Sequence, residues 1–161
     1  MRIVRLPGIH HDSNVVVVIG TAGNLVIDSG TSWYQSLQVE RILGVLGEDS
    51  LDRIILTSRR FPCSGGAKHI SQNFSDCPVH IHKDGQVSLE SGDFFTTWAN
   101  RFDSDMPSTD TLGVEDEEIF ILGDGQVSAI SVPGHSSDSM AFYVAEKKML
   151  VAGALLPRAD R

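Results

Sequence analysis

The run Val15-Val16-Val17-Val18-Ile19 is the feature that most constrains this chain. Five consecutive β-branched residues are stiff at χ1 and suit a pleated strand. Gly20-Thr21-Ala22-Gly23-Asn24 follows, and then a second apolar run over residues 25–28. Two short apolar runs around a Gly/Asn turn predict a β-hairpin. Thr31 or Ser32 can cap a helix after it. Leu37, Ile42, Leu43 and Leu46 give that helix its apolar stripe, and Gly47 gives a stop.

Further along, Arg53-Ile54-Ile55-Leu56-Thr57 has the pattern of a buried strand. Gly65-Gly66 opens a short helical pattern through Phe74, residues 78–81 form another strand, and residues 84–91 suit a short helix. Residues 93–116 are polar and irregular, which suggests a solvated loop or lid. Residues 119–122 and 126–132 flank Gly123-Asp124-Gly125, a hairpin signal. Residues 140–144 and 149–154 repeat the pattern around Glu146-Lys147-Lys148. Strands at both ends with helices between them predict an α/β layered fold, and the hairpins predict mixed sheets.

With 161 residues, 41% of them hydrophobic and 21% charged, the chain is expected to form one domain over 1–161. A net charge of −8 argues against nucleic acid or an anionic membrane as partner. The apolar stretches are too short to cross a bilayer. Two cysteines, Cys63 and Cys77, make no disulfide framework, and the first seven residues lack a signal-peptide core. A cytoplasmic location is expected.

Four marks occur in order: Leu25-Val26-Ile27-Asp28-Ser29-Gly30, Leu56-Thr57 with Gly65-Gly66, Pro133-Gly134-His135-Ser136, and Ala152-Gly153-Ala154-Leu155. In that order and spacing the chain resembles the metallo-β-lactamase superfamily, from about residue 14 to residue 156. The resemblance implies an αββα sandwich of mixed sheets with a metal site at the edge between them. It also implies hydrolysis of esters, thioesters, amides or phosphoesters as the common activity. The family elements that follow the last mark have no counterpart before Arg161. An exposed sheet edge would then favour a homodimer or another partner chain.

The family loop reads Thr-His-x-His-x-Asp-His-x-Gly-Gly. Here the same frame reads Thr57-Ser58-Arg59-Arg60-Phe61-Pro62-Cys63-Ser64-Gly65-Gly66. The resemblance therefore places the family's metal ligands on Ser58, Arg60, Pro62, Cys63, His135 and Ala154. Only His135 and Cys63 could coordinate a metal, and a catalytic zinc needs about three protein ligands. Arg60 would repel a dication. No cofactor is expected, and zinc or another divalent metal only through a non-standard site.

Asp28, a residue near the ligand loop in the family, could pair with Arg60 and fill part of the empty space. Two functions compete on these residues. One is a metal-free, non-catalytic protein that binds a small anion at Arg59, Arg60 and His135. The other is a hydrolase that uses an unusual metal site or a Cys63–His135 nucleophile–base pair. For the pair, a helix N-terminus near Cys63 would lower its thiol pKa. Ser58 is expected as polar filler. The His80 and His82 pair shares one strand face and is expected to be exposed or loop-facing. His10 and His11 are expected in solvent, and His69 on a helix surface. Trp33, Phe94, Phe95, Trp98 and Phe102 are expected as packing residues.

Overall fold

The computed structural model describes residues 1–153. Two sheets pack face to face. The first has the strand order β1-β2-β3-β4-β5-β6: β1 Arg2–Leu6, β2 Val15–Ile19, β3 Asn24–Ile27, β4 Arg53–Ile55, β5 Val79–His82 and β6 Leu112–Val114. The first three strands are antiparallel and β3 to β6 run parallel, so this sheet is mixed. The second sheet has the order β10-β9-β8-β7: β7 Ile119–Ile121, β8 Gln126–Ser131, β9 Met140–Val144 and β10 Met149–Val151. Among the described residues all of its pairings are antiparallel, where the sequence suggested a mixed sheet.

The run at β2 forms a central strand with both faces covered, and Val15, Val17 and Val18 have no exposed surface. Period-2 geometry divides it. Val15 and Val17 face the helices, whereas Val16 and Val18 face the second sheet. The helices are α1 Gln35–Leu46, α2 Phe61–Ser64, α3 Ala67–Asn73 and α4 Lys83–Glu90. Thr31 caps the 3-10 turn that leads into α1, and Gly47 ends the helix at φ 61°. The buried stripe of α1 is Val39, Ile42 and Leu46; Leu37 and Leu43 point outward, contrary to expectation.

Two strands were not legible from the sequence. β1 pairs with β2 although only Leu6 is buried in it. β6 lies inside the polar stretch 93–116 and pairs with β5, so that stretch is not one loop. It also contains a 3-10 turn at Ala99–Phe102. On the second sheet, Phe120, Val127, Ala129, Phe142 and Val144 face inward. Ile119, Ile121, Ile130, Tyr143 and Leu150 are exposed on its other face. The described residues thus give three of the four expected layers. Ala154, the last of the expected ligand positions, lies outside them, as does the end of the strand expected over 149–154.

Candidate functional site

Strand β4 runs out through Leu56 into the loop that carries the expected site. Its first residue, Thr57, is locked to the end of β3. The Thr57 backbone N–H donates to Asp28 Oδ1 at 2.8 Å, and its hydroxyl donates to Oδ2 at 2.7 Å. Asp28 sits at φ 66°, a left-handed conformation that Asp tolerates better than most residues. Its carboxyl is buried, and burial raises its pKa to about 7 against the two Thr57 hydrogen bonds, which act in the opposite direction.

Cys63 lies within α2, a four-residue helix, and its amide is already bonded to the Arg60 carbonyl. Burial and then the nearby Asp28 charge push its thiol well above the ordinary value. The expected activation at a helix N-terminus is corrected: burial opposes the thiolate and raises the thiol pKa instead.

The two arginines share the Thr96 carbonyl and differ in their other partners. The Arg59 amide donates to Asp138 Oδ2 at 2.6 Å, and its guanidinium reaches Asp138 Oδ1 at 3.2 Å and the Thr96 carbonyl at 3.2 Å. Asp138 is fully buried and also accepts from the Ser136 hydroxyl at 2.6 Å. Ser58 Oγ accepts from the Arg60 amide at 3.0 Å, so this buried serine holds the loop.

Arg60 also stacks on an aromatic ring. Its guanidinium carbon lies 3.7 Å from the centre of the Trp98 ring. It donates to the Thr96 carbonyl at 2.7 Å and to the His135 carbonyl at 3.5 Å. Arg101 lies over the same ring at 3.9 Å. The expected Arg60–Asp28 ion pair is not formed: among the described residues no carboxylate lies within ion-pair distance of Arg60. Thr57 donates to both oxygens of Asp28, and the Trp98 face attracts the guanidinium. Arg101 and Asp138 were not singled out from sequence, and Trp98 was expected only as a packing residue. They lie outside the four marks, and only the folded loops bring them to Arg60.

His135 is exposed, with its ring 5.6 Å from that of Trp98 in an edge-on arrangement. It borders a cleft of about 600 Å³. Asp28, Pro62 and Cys63 line the same cleft, together with Phe102 and β10. Ser58, Arg59 and Arg60 are not part of its wall. The sequence-predicted residues therefore divide into a cleft group and a cationic group beside it.

The donor set at the six family positions does not fit a metal pair. Pro62 has no donor side chain, Ser58 is engaged with the backbone, and Arg60 carries a positive charge into the loop. Among the described residues, no group of three or more His, Cys, Asp or Glu is arranged to hold a metal ion.

The remaining histidines also find their places. His80 and His82 share one face of β5, but both are buried, which corrects the exposed placement. The His80 ring meets Phe120 edge-on at 5.4 Å, and its Nε2 is buried without a hydrogen-bond partner. Burial and the charge of Arg53 lower its pKa to about 4. His82 caps α4 by accepting from the Asp84 amide at 3.1 Å. His10 and His11 are exposed, and His11 lines the cleft. His69 is half-buried, within 3.5 Å of the Ser36 hydroxyl. Phe61, Phe102 and Trp33 pack together, although Trp33 is 45% and Phe95 64% exposed.

Two facing sheets, helices on the first, and a cleft walled by the β3 and β4 loops and by β10 define a metallo-hydrolase-like scaffold. The sequence profile of the metallo-beta-lactamase superfamily matches residues 9–161, and the chain belongs to that superfamily. The fold is similar to BJP-1, a subclass B3 metallo-beta-lactamase of Bradyrhizobium japonicum, with a TM-score of 0.71 at 19% identity. That match covers 82% of this chain and 50% of the other.

Among curated proteins, the chain is 26% identical over 165 residues to the human acyl-coenzyme A thioesterase MBLAC2, covering 88% of this chain and 57% of that protein. It is 24% identical over 160 residues to the lactamase-like protein nscB of Neosartorya fischeri, covering 94% of this chain and 42% of that one. The chain spans about half the length of the curated relatives it matches. No helix among the described residues is long and apolar enough to cross a membrane.

Proposed function

We propose that this chain is a metallo-β-lactamase-fold binding protein that works without the family's metal pair and holds a small anion beside Arg60 and His135. The observation that carries this reading is the position of Arg60. At a place where the family has a metal-binding histidine, a guanidinium is held against Trp98 with no carboxylate at ion-pair distance among the described residues. A planar cation so placed is suited to a carboxylate or phosphate. Arg59 serves this site less directly, because Asp138 takes its charge.

Elemental analysis of untagged protein, purified without chelator, tests the metal-free reading. A metal content near zero per chain, unchanged after incubation with zinc, iron or manganese, is expected. A ratio near one or two would overturn it. Thermal shift with small anions tests the site, and the shift is expected to vanish in Arg60→Ala.

A second reading is a hydrolase of an ester, thioester or phosphoester. It is supported by the thioesterase name of a relative and by Cys63, His135 and Asp28 lining one cleft. The raised thiol counts against Cys63 as the nucleophile. Thioester turnover that persists in chelator and is lost in Cys63→Ala would favour this reading over the first.

A further inference from the structure

The cleft and the cationic group beside it are adjacent, and their chemistry is opposite. Much of the cleft wall is apolar: Val16, Phe102, Met149 and Val151. Its volume of about 600 Å³ is in the usual range for a small organic ligand, about 300–1,000 Å³. Phe102, Met149 and Val151 are each only half-buried, so part of this apolar wall meets water.

At one rim, two guanidinium groups share the Trp98 ring and His135 meets that ring edge-on. His135 belongs to both features, because it also lines the cleft. Arg101 directly precedes Phe102, a wall residue. Arg60, Arg101 and Arg59 crowd together, with Asp138 the carboxylate among them and already paired to Arg59. Three guanidiniums around one carboxylate leave local positive charge at this rim, and the like charges repel one another.

We infer that the cleft and the Arg60–Trp98–Arg101 stack bind one anionic amphiphile, a medium-chain fatty carboxylate with its head at the arginines and its chain in the cleft. The inference rests on the anion site proposed above and assigns that site its ligand class. The head exchanges water for guanidinium hydrogen bonds at a partly buried rim. The chain covers apolar wall that is otherwise wet. Both parts are required: a short anion leaves the wall exposed, and a neutral chain leaves the cations unpaired.

The test uses the full chain with Trp33→Phe as background, so that Trp98 is its one tryptophan, and follows Trp98 emission during titration. The ligands are dodecanoate, 1-dodecanol and acetate, each below its aggregation limit. Dodecanoate is expected to bind at least about tenfold more tightly than either of the others. Arg101→Ala, at an exposed position, is expected to weaken dodecanoate about tenfold and leave 1-dodecanol unchanged, while Arg101→Lys recovers part of the loss. Met149→Glu, on the cleft side of β10, is expected to weaken dodecanoate and leave acetate unchanged. Circular dichroism and melting of each variant establish that it is folded.

Equal binding of dodecanoate and 1-dodecanol, or no effect of Arg101→Ala, would overturn the head assignment. Equal binding of acetate and dodecanoate, or no effect of Met149→Glu, would overturn the chain assignment. These results separate from the metal test. Stoichiometric metal sinks the metal-free reading without altering the ligand comparisons, whereas metal-free protein that ignores dodecanoate sinks this inference alone.

Discussion

Asp28 accepts two hydrogen bonds from one residue, Thr57, and so joins the end of β3 to the loop after β4 through a single buried carboxyl. Burial holds this carboxyl at about 7 against an ordinary 3.8, so the folded state keeps a proton that the unfolded chain gives up. Stability is then lost as pH rises from about 4 to about 7, by as much as about 4 kcal/mol. Asn at position 28 tolerates the same backbone and can accept from the Thr57 amide. Asp28→Asn is expected to remove this loss, with urea midpoints at pH 5 and pH 7.5 as the measurement. A wild-type slope that survives the substitution would contradict the assignment.

His80 acts with the opposite sign. Its folded pKa of about 4 lies below the ordinary 6.5, so the unfolded chain takes up a proton first. Stability is fully present above about pH 6.5 and is lost as pH falls toward 4. The two residues oppose each other between about pH 4 and 6.5. His80→Leu is expected to remove the acid loss and, by deleting the unpartnered Nε2, to stabilise at neutral pH by about 1 kcal/mol. Melting curves across pH 4.5–8 check both parts, and a destabilised variant at pH 7.5 would count against them.

Asp138 fixes the His135 loop to the Arg59 loop. Asp138→Ala leaves the Arg59 amide, the Arg59 guanidinium and the Ser136 hydroxyl without their shared acceptor. A destabilisation of about 3–5 kcal/mol is expected by chemical unfolding. Faster proteolytic cleavage within 133–139 should accompany it. A loss under about 1 kcal/mol would mean that the two loops are held by other contacts.

Both cysteines should be slow to alkylate. Cys63 is 1% and Cys77 6% exposed, and burial raises both thiols, that of Cys77 to about 11. At pH 8, iodoacetamide is expected to leave the native chain unmodified while free cysteine reacts, and to label both residues after unfolding. Rapid native labelling of Cys63 would revive it as a nucleophile.

Much of the frame was legible because its signals are local. The β-branched run of β2, the Thr31 cap, the Gly47 stop and the Asp-Gly turn after β7 each act over a few residues. β1 and β6 were missed because their apolar pattern is weak; partner strands across the sheet hold them in place. That Asp28, Pro62, Cys63 and His135 converge on one cleft follows the marks read in the sequence. The cationic group beside it was not legible: Arg60 finds Trp98, Arg101 and the His135 carbonyl at separations of roughly 40 to 75 residues. The expected Arg60–Asp28 pair failed for the same reason. Charge alone suggests a partner, but only three-dimensional packing shows that Thr57 already donates to both carboxylate oxygens.

The exposed row on the second sheet has a practical consequence for handling. Ile119, Ser128, Tyr143 and Leu150 lie side by side across four strands, and three of the four are large and water-exposed. Colloidal behaviour will follow this strip more closely than the overall charge. Raising ammonium sulfate should precipitate the protein early, and a phenyl column should retain it longer than its mean hydropathy of −0.03 suggests.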